Sequence, residues 1–126
     1  MLPEGKVKLV DFPLNDGEFK IVQIYLDETP YLVCGAYDDL HQELLKKFLI
    51  SYEVNFDIIP APGMPDFQVP ALSDNKRYRV AGMGKSEIYY NIKYFQLPYH
   101  ASHHYKICPD KEFNEMLKKM FIGWTF

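Results

Sequence analysis

Charged and apolar residues alternate over Lys6–Val10, and a period of two is the signature of a half-buried strand. The run FKIVQIYL from Phe19 to Leu26 also suits a strand. Between them Pro13, Asn15, Asp16 and Gly17 supply turn chemistry, so a hairpin-like return is expected. A second turn over Asp27–Pro30 leads into Tyr31–Gly35, read as a short buried strand. The period then changes. Leu40, Leu44, Leu45, Phe48 and Leu49 recur at helical spacing, which predicts a helix over 38–50, with Asp38 as N-cap and Lys46 and Lys47 toward its negative end.

Beyond this helix, Val54, Phe56 and Ile58 share one face of a period-two segment, and a strand over Ser51–Ile59 is expected. Pro60, Pro62, Gly63, Pro65 and Pro70 break the pattern and predict an irregular surface excursion over 60–75. Lys76–Ala81 reads as a strand, GMGK (Gly82–Lys85) as a sharp interruption of it, and Glu87–Asn91 and Lys93–Leu97 as two further strands. A polar loop over His100–His104 precedes an amphipathic helix over Asp110–Phe121, capped by Asp110, and Trp124–Phe126 is placed as a last short strand. The order specifies a single α/β domain over 1–126, a mixed β-sheet flanked by two α-helices.

Composition narrows the function classes. Hydrophobic residues at 48% and charged residues at 25% exclude global disorder. Fourteen Lys and Arg against seventeen Asp and Glu leave a net charge of −3, which argues against nucleic acid as the main partner. Cys34 and Cys108 are too few for a disulfide scaffold and read as free thiols in a reduced compartment. The segment MLPEGKVKLVDF does not read as a secretory signal, and no run of 18 apolar residues offers a membrane span. A soluble cytoplasmic monomer is expected.

The candidate chemistry centres on His41. With Asp38 as cap it falls at N3, in the first turn, where orphan N–H groups form an anion site and the helix dipole favours neutral imidazole. The bland alternative is a histidine satisfied by a backbone carbonyl. Lys20 shares a strand face with Val22, Ile24 and Leu26, an unusual setting for a lysine, although it could also snorkel to water from a strand end. GMGK places Lys85 beside two glycines that would let a phosphate approach the backbone; a tight hairpin turn explains it equally, and it lacks the Walker pattern. His100, His103, His104 and Cys108 match no standard zinc spacing, so no metal is expected.

Taken together, VKLVDFPLNDGEFKIVQIYL and YLVCGAYDDLHQELL resemble the Janus/Ocnus family, the cofactor-independent protein phosphohistidine phosphatases. The likeness lies in an apolar strand, an Asp-Gly turn, Phe-Lys opening a second strand, and a strand ending in Gly before a helix whose first turn holds the essential His. It covers residues 7–50. It implies that His41 is the catalytic residue, as nucleophile or as general base on water, and that Lys20 binds substrate. Further on, GMGK echoes a family glycine turn, with Lys85 in place of Arg. The family's phosphate-holding loop falls on Lys93–Ser102, bringing in Tyr99, His100 and Ser102; a second alignment instead puts that loop on Val80–Lys85. The resemblance implies a metal-free hydrolase acting on a phosphorylated protein or peptide, or else a catalytically degenerate relative that binds a phospho-ligand or a protein partner. Cys34 stands where the family has a phosphate-binding Arg, and Leu40 where it has Tyr before the essential His. On this alignment Cys34→Arg is expected to tighten substrate binding.

Overall fold

The structure is a computed structural model that describes residues 2–98, 105, 107 and 110–126. Its strands and helices run β1 (Lys8–Val10), β2 (Gly17–Leu26), β3 (Thr29–Ala36), α1 (His41–Ser51), β4 (Ile58–Ala61), β5 (Met64–Pro70), β6 (Tyr78–Tyr89), β7 (Tyr94–Gln96) and α2 (Lys111–Met120). Five strands form a mixed sheet in the order β1-β3-β2-β6-β7, with β4 and β5 forming a separate two-stranded sheet. The expected α/β domain with two helices is therefore present.

Alternation along β2 divides the core. Val22, Ile24 and Leu26 face α1 and pack with its Leu44, Leu45, Phe48 and Leu49. Phe19 and Ile21 face the other way and pack with Phe113, Leu117 and Phe121 from α2 and its C-terminal end. Gln23 on this second face is fully buried, and its amide satisfies itself on α2: Nε2 donates to Asn114 at 2.6 Å and Oε1 accepts from the Asp110 N–H at 3.2 Å. Asp110 is the N-cap that its position predicts, accepting from the Phe113 N–H at 3.0 Å.

Four expectations are corrected. The first strand does not return onto the second; β1 pairs in parallel with β3, Lys8 opposite Tyr31, so the 11–16 connection carries the chain past β3. The true hairpin is β2–β3, closed by Asp27 and Glu28, both at positive φ, as a twisted two-residue turn requires. Ser51–Ile59 is not a strand: α1 runs to Ser51, Glu53 turns at φ 57°, and pairing begins only at Ile58. The proline-rich stretch is ordered as the β4–β5 hairpin around Pro62–Gly63. Proline is tolerated there because a two-stranded sheet is all edge, and Val69 and Ala61 anchor it in the α1 core.

The fourth correction bears on the site. GMGK is no turn; it lies within β6, which runs unbroken from Tyr78 to Tyr89. Gly84 does not use glycine's freedom of φ. A Cβ there would stand 2.6 Å from the Pro98 ring, so the residue is small because another segment crosses it. Thr125 adds a parallel bridge to Tyr94, which is all that remains of the expected last strand. No helix among the described residues is long and apolar enough to cross a membrane.

Candidate functional site

The sheet register builds the site. Lys20 on β2 stands opposite Gly35 on β3 and opposite Lys85 on β6, so Gly35, Lys20 and Lys85 form one row across three adjacent strands. By alternation with Val22 this row lies on the α1 face, as the apolar neighbours of Lys20 lead one to expect. Lys20 is half-buried and Lys85 exposed. Like charges directly opposite one another destabilise a sheet, and neither ammonium forms an ion pair among the described residues.

The start of α1 comes down over this row. Its N-cap is Leu40 rather than Asp38, so His41 is the first helical residue rather than the third. Asp39 is consumed one step earlier: its Oδ2 accepts from the Ala36 N–H at 2.8 Å while its own N–H donates to the Ala36 carbonyl. That closed turn competes with capping, and the helix begins with no side-chain cap. The Glu43 and Leu44 N–H groups both donate to the Leu40 carbonyl.

His41 Nε2 lies 3.0 Å from the Gly84 carbonyl oxygen, on the residue next to Lys85. A carbonyl can only accept, so Nε2 carries the proton and, in neutral imidazole, the lone pair is on Nδ1. The bond to a backbone carbonyl is what a purely structural histidine would make. It is also what a catalytic histidine needs to fix its tautomer.

Sequence reasoning missed two members. Tyr37, in the turn ahead of α1, accepts a hydrogen bond from Lys85 Nζ at 3.4 Å, with its ring centroid 4.8 Å from the same ammonium. Gly84 contributes only its carbonyl. Neither carries a local signal, since Tyr37 belongs to no periodic segment and any residue supplies a carbonyl. Tyr99, His100 and Ser102 lie outside the described residues, as do His103, His104 and Cys108. Among the described residues no group of three His, Cys, Asp or Glu is placed to hold a metal.

Cys34 departs from its expected role. Alternation on β3 turns it away from Lys20 and into the α2-side core at 3% exposure. Burial, and then the charge of Asp11, push its thiol well above the usual range. An arginine there would enter that core rather than the Lys20 row.

Cavities lie to either side of the row. One of about 570 Å3 opens beside β3, lined in part by Asp11, Glu18, Cys34, Tyr37, Asp39 and Lys47. Another of about 410 Å3 lies at the far end of β2, among Tyr25, Lys76, Arg77 and Arg79. Lys20, His41 and Lys85 line neither. No protein-family model, no curated protein and no solved structure matches this chain.

Proposed function

We propose that the protein is a phosphohistidine phosphatase-like hydrolase, acting as a cytoplasmic monomer on a phosphorylated protein or peptide without a metal. The observation that supports this reading is the His41–Gly84 bond, which ties the imidazole to the strand carrying Lys85, itself opposite Lys20, two lysines without carboxylate partners among the described residues. The phosphoryl oxygens would be held by the ammonium groups of half-buried Lys20 and exposed Lys85. His41 would then either take a proton from the water that attacks phosphorus, or attack phosphorus itself to give a phosphoimidazole that water later cleaves; in each case the phosphorus–nitrogen bond breaks and the substrate imidazole leaves. The labile phosphorus–nitrogen bond makes modest demands, so positioning and one neutral imidazole suffice.

A second reading, a binding protein without turnover, is favoured by one observation. The only arginines, Arg77 and Arg79, lie at the opposite end of the sheet and are engaged there. Arg79 pairs with Tyr25, about 17 Å along β2 from Lys20 at ~3.4 Å per residue. It lies over the Tyr25 ring and reaches Asp110, while Arg77 grips Asp27. No guanidinium can therefore hold the phosphoryl group bidentately.

Incubation of the protein with a phosphohistidine peptide in EDTA separates the two. The hydrolase reading expects turnover that falls by about 100- to 10,000-fold in His41→Ala, the usual worth of a positioned acid–base group. Absence of hydrolysis by the wild-type protein, in EDTA and in magnesium, refutes it in favour of binding.

A further inference from the structure

Two like-charged pairs follow one another on the α1 side of β2 and β6: Glu18 opposite Glu87, then Lys20 opposite Lys85. Electrostatics alone would resolve this ladder along its diagonals, Lys85 to Glu18 and Lys20 to Glu87. Diagonal neighbours on adjacent strands lie ~7–8 Å apart, within reach of side chains of this length. Neither diagonal ion pair forms among the described residues. Lys85 turns instead toward the loop ahead of α1, where the Tyr37 hydroxyl accepts from it and the Tyr37 ring lies beneath it. Glu18 and Glu87 are left facing each other. Burial, and then the hydrogen bond and charge of Glu18, hold the Glu87 carboxyl above the usual carboxylate range.

We infer that Tyr37 is a positioning residue, withholding Lys85 from Glu18 and keeping its ammonium, together with Lys20, available to an anionic phosphoryl group. The inference rests on the phosphoryl-binding reading of the site and deepens it. Once Tyr37 is gone, Lys85 is free to fall back on Glu18, and half of the cationic row is neutralised from within. Tyr37 itself need not touch the substrate.

The test compares wild type, Tyr37→Ala and the double variant Tyr37→Ala/Glu18→Gln. Inorganic phosphate binding and the titration of Glu18 and Glu87 are followed by NMR, and KM and kcat are measured on a phosphohistidine peptide. Tyr37→Ala should weaken phosphate binding and raise KM by about 2- to 5-fold with kcat unchanged, the fold-change equivalent of one exposed cation–π contact. Adding Glu18→Gln should restore most of the loss, because the freed lysine then has no acid to pair with. Wild-type affinity in Tyr37→Ala, or no restoration in the double variant, overturns the inference. If the wild type neither binds phosphate nor hydrolyses the peptide, the phosphatase reading fails on its own. Tyr37 is then judged by the Glu87 carboxyl: its titration should shift down in Tyr37→Ala as Lys85 reaches Glu18, and an unchanged titration overturns the inference.

Discussion

Replacing Gly35 by alanine should damage the site more than the fold. A Cβ at this position would stand 2.4 Å from Leu44 Cδ2 and 2.8 Å from both Leu44 Cδ1 and Asp39 Oδ2. Neither neighbour yields easily. Leu44 is 8% exposed and packed in the α1 core, and the Asp39 carboxylate is held by the Ala36 N–H. The added methyl must therefore lift the first turns of α1 off the sheet. Overpacking of this kind costs about 1–3 kcal/mol. Unfolding entropy of about 2.1 cal/mol/K per residue amounts to roughly 0.26 kcal/mol/K for a chain of this length, so Tm should fall by ~4–11 °C. The same lift draws His41 from the Gly84 carbonyl, now 3.0 Å away. A displacement of ~1 Å at a reacting group can cost on the order of 100-fold in rate. Thermal unfolding by circular dichroism and phosphohistidine hydrolysis at a temperature where both proteins are folded measure the two effects separately. A Tm within ~1 °C of wild type together with undiminished turnover would show that α1 does not bear on Gly35, and the account of how the helix places His41 would be wrong.

Four further outcomes follow from burial and charge. The Tyr105 hydroxyl is buried with no hydrogen-bond partner among the described residues, and burial, then Glu43, push its phenol far above the usual range; Tyr105→Phe should raise the unfolding free energy by about 1–3 kcal/mol in a urea titration, and a destabilised variant would mean the hydroxyl is satisfied. Cys34→Arg, which the sequence comparison favoured as a gain in binding, should instead destabilise by about 3–5 kcal/mol, because it leaves an unpaired charge in the core. In the wild type, peptide mapping after alkylation at pH 8 should find Cys34 unmodified until the protein unfolds; rapid labelling would contradict its burial. Acid stability should depend on Asp27 and Asp74. The Arg77 guanidinium holds Asp27 low, and at Asp74 burial pushes up but is outweighed by N–H bonds from Tyr78, Arg77 and Lys76. Both folded-state values lie below the unfolded ones, so their stabilisation is complete above the ordinary carboxylate range near pH ~4 and is lost as pH falls through the lowered values. Asp74→Ala should flatten that acid limb, and an unchanged limb would exclude this source.

The parts of the fold that were legible are those whose signal is local. Alternation over Phe19–Leu26 marked β2 and even assigned Lys20 to the face of Val22 and Ile24, because side-chain direction in a strand has a fixed period. Asp110 marked the start of α2 because an N-cap acts within three residues. The same logic failed at Asp38, the expected cap: the carboxylate of the next residue, Asp39, closes a turn with Ala36, and the helix starts later, uncapped.

Glycine and proline misled for a similar reason. Gly82 and Gly84 suggested a turn, yet β6 passes straight through them and Pro98 crosses at Gly84. Pro60, Pro65 and Pro70 suggested irregular chain, yet they lie on an isolated hairpin whose outer edges need no donors. A residue type states what the backbone tolerates; it does not state what approaches it.

The sequence by itself determined that this chain makes one α/β layer structure, and it singled out Lys20 for its apolar strand face, His41 for its place at a helix start and Lys85 for the glycines before it. Only the tertiary structure decided that Lys20 and Lys85 stand opposite one another and that His41 bonds the strand carrying Lys85. Lys20 and Lys85 are 65 positions apart and become neighbours through the β2–β6 register, which long-range pairing sets and no local period encodes. His41 reaches that row because β6 lies two strands from the β3 that precedes its helix, and Cys34 is excluded from it by one step of alternation. Local free energies of a few tenths of a kcal/mol per residue can propose strands and helices; the burial of two cores, one on each sheet face, is what fixes which of them lie side by side.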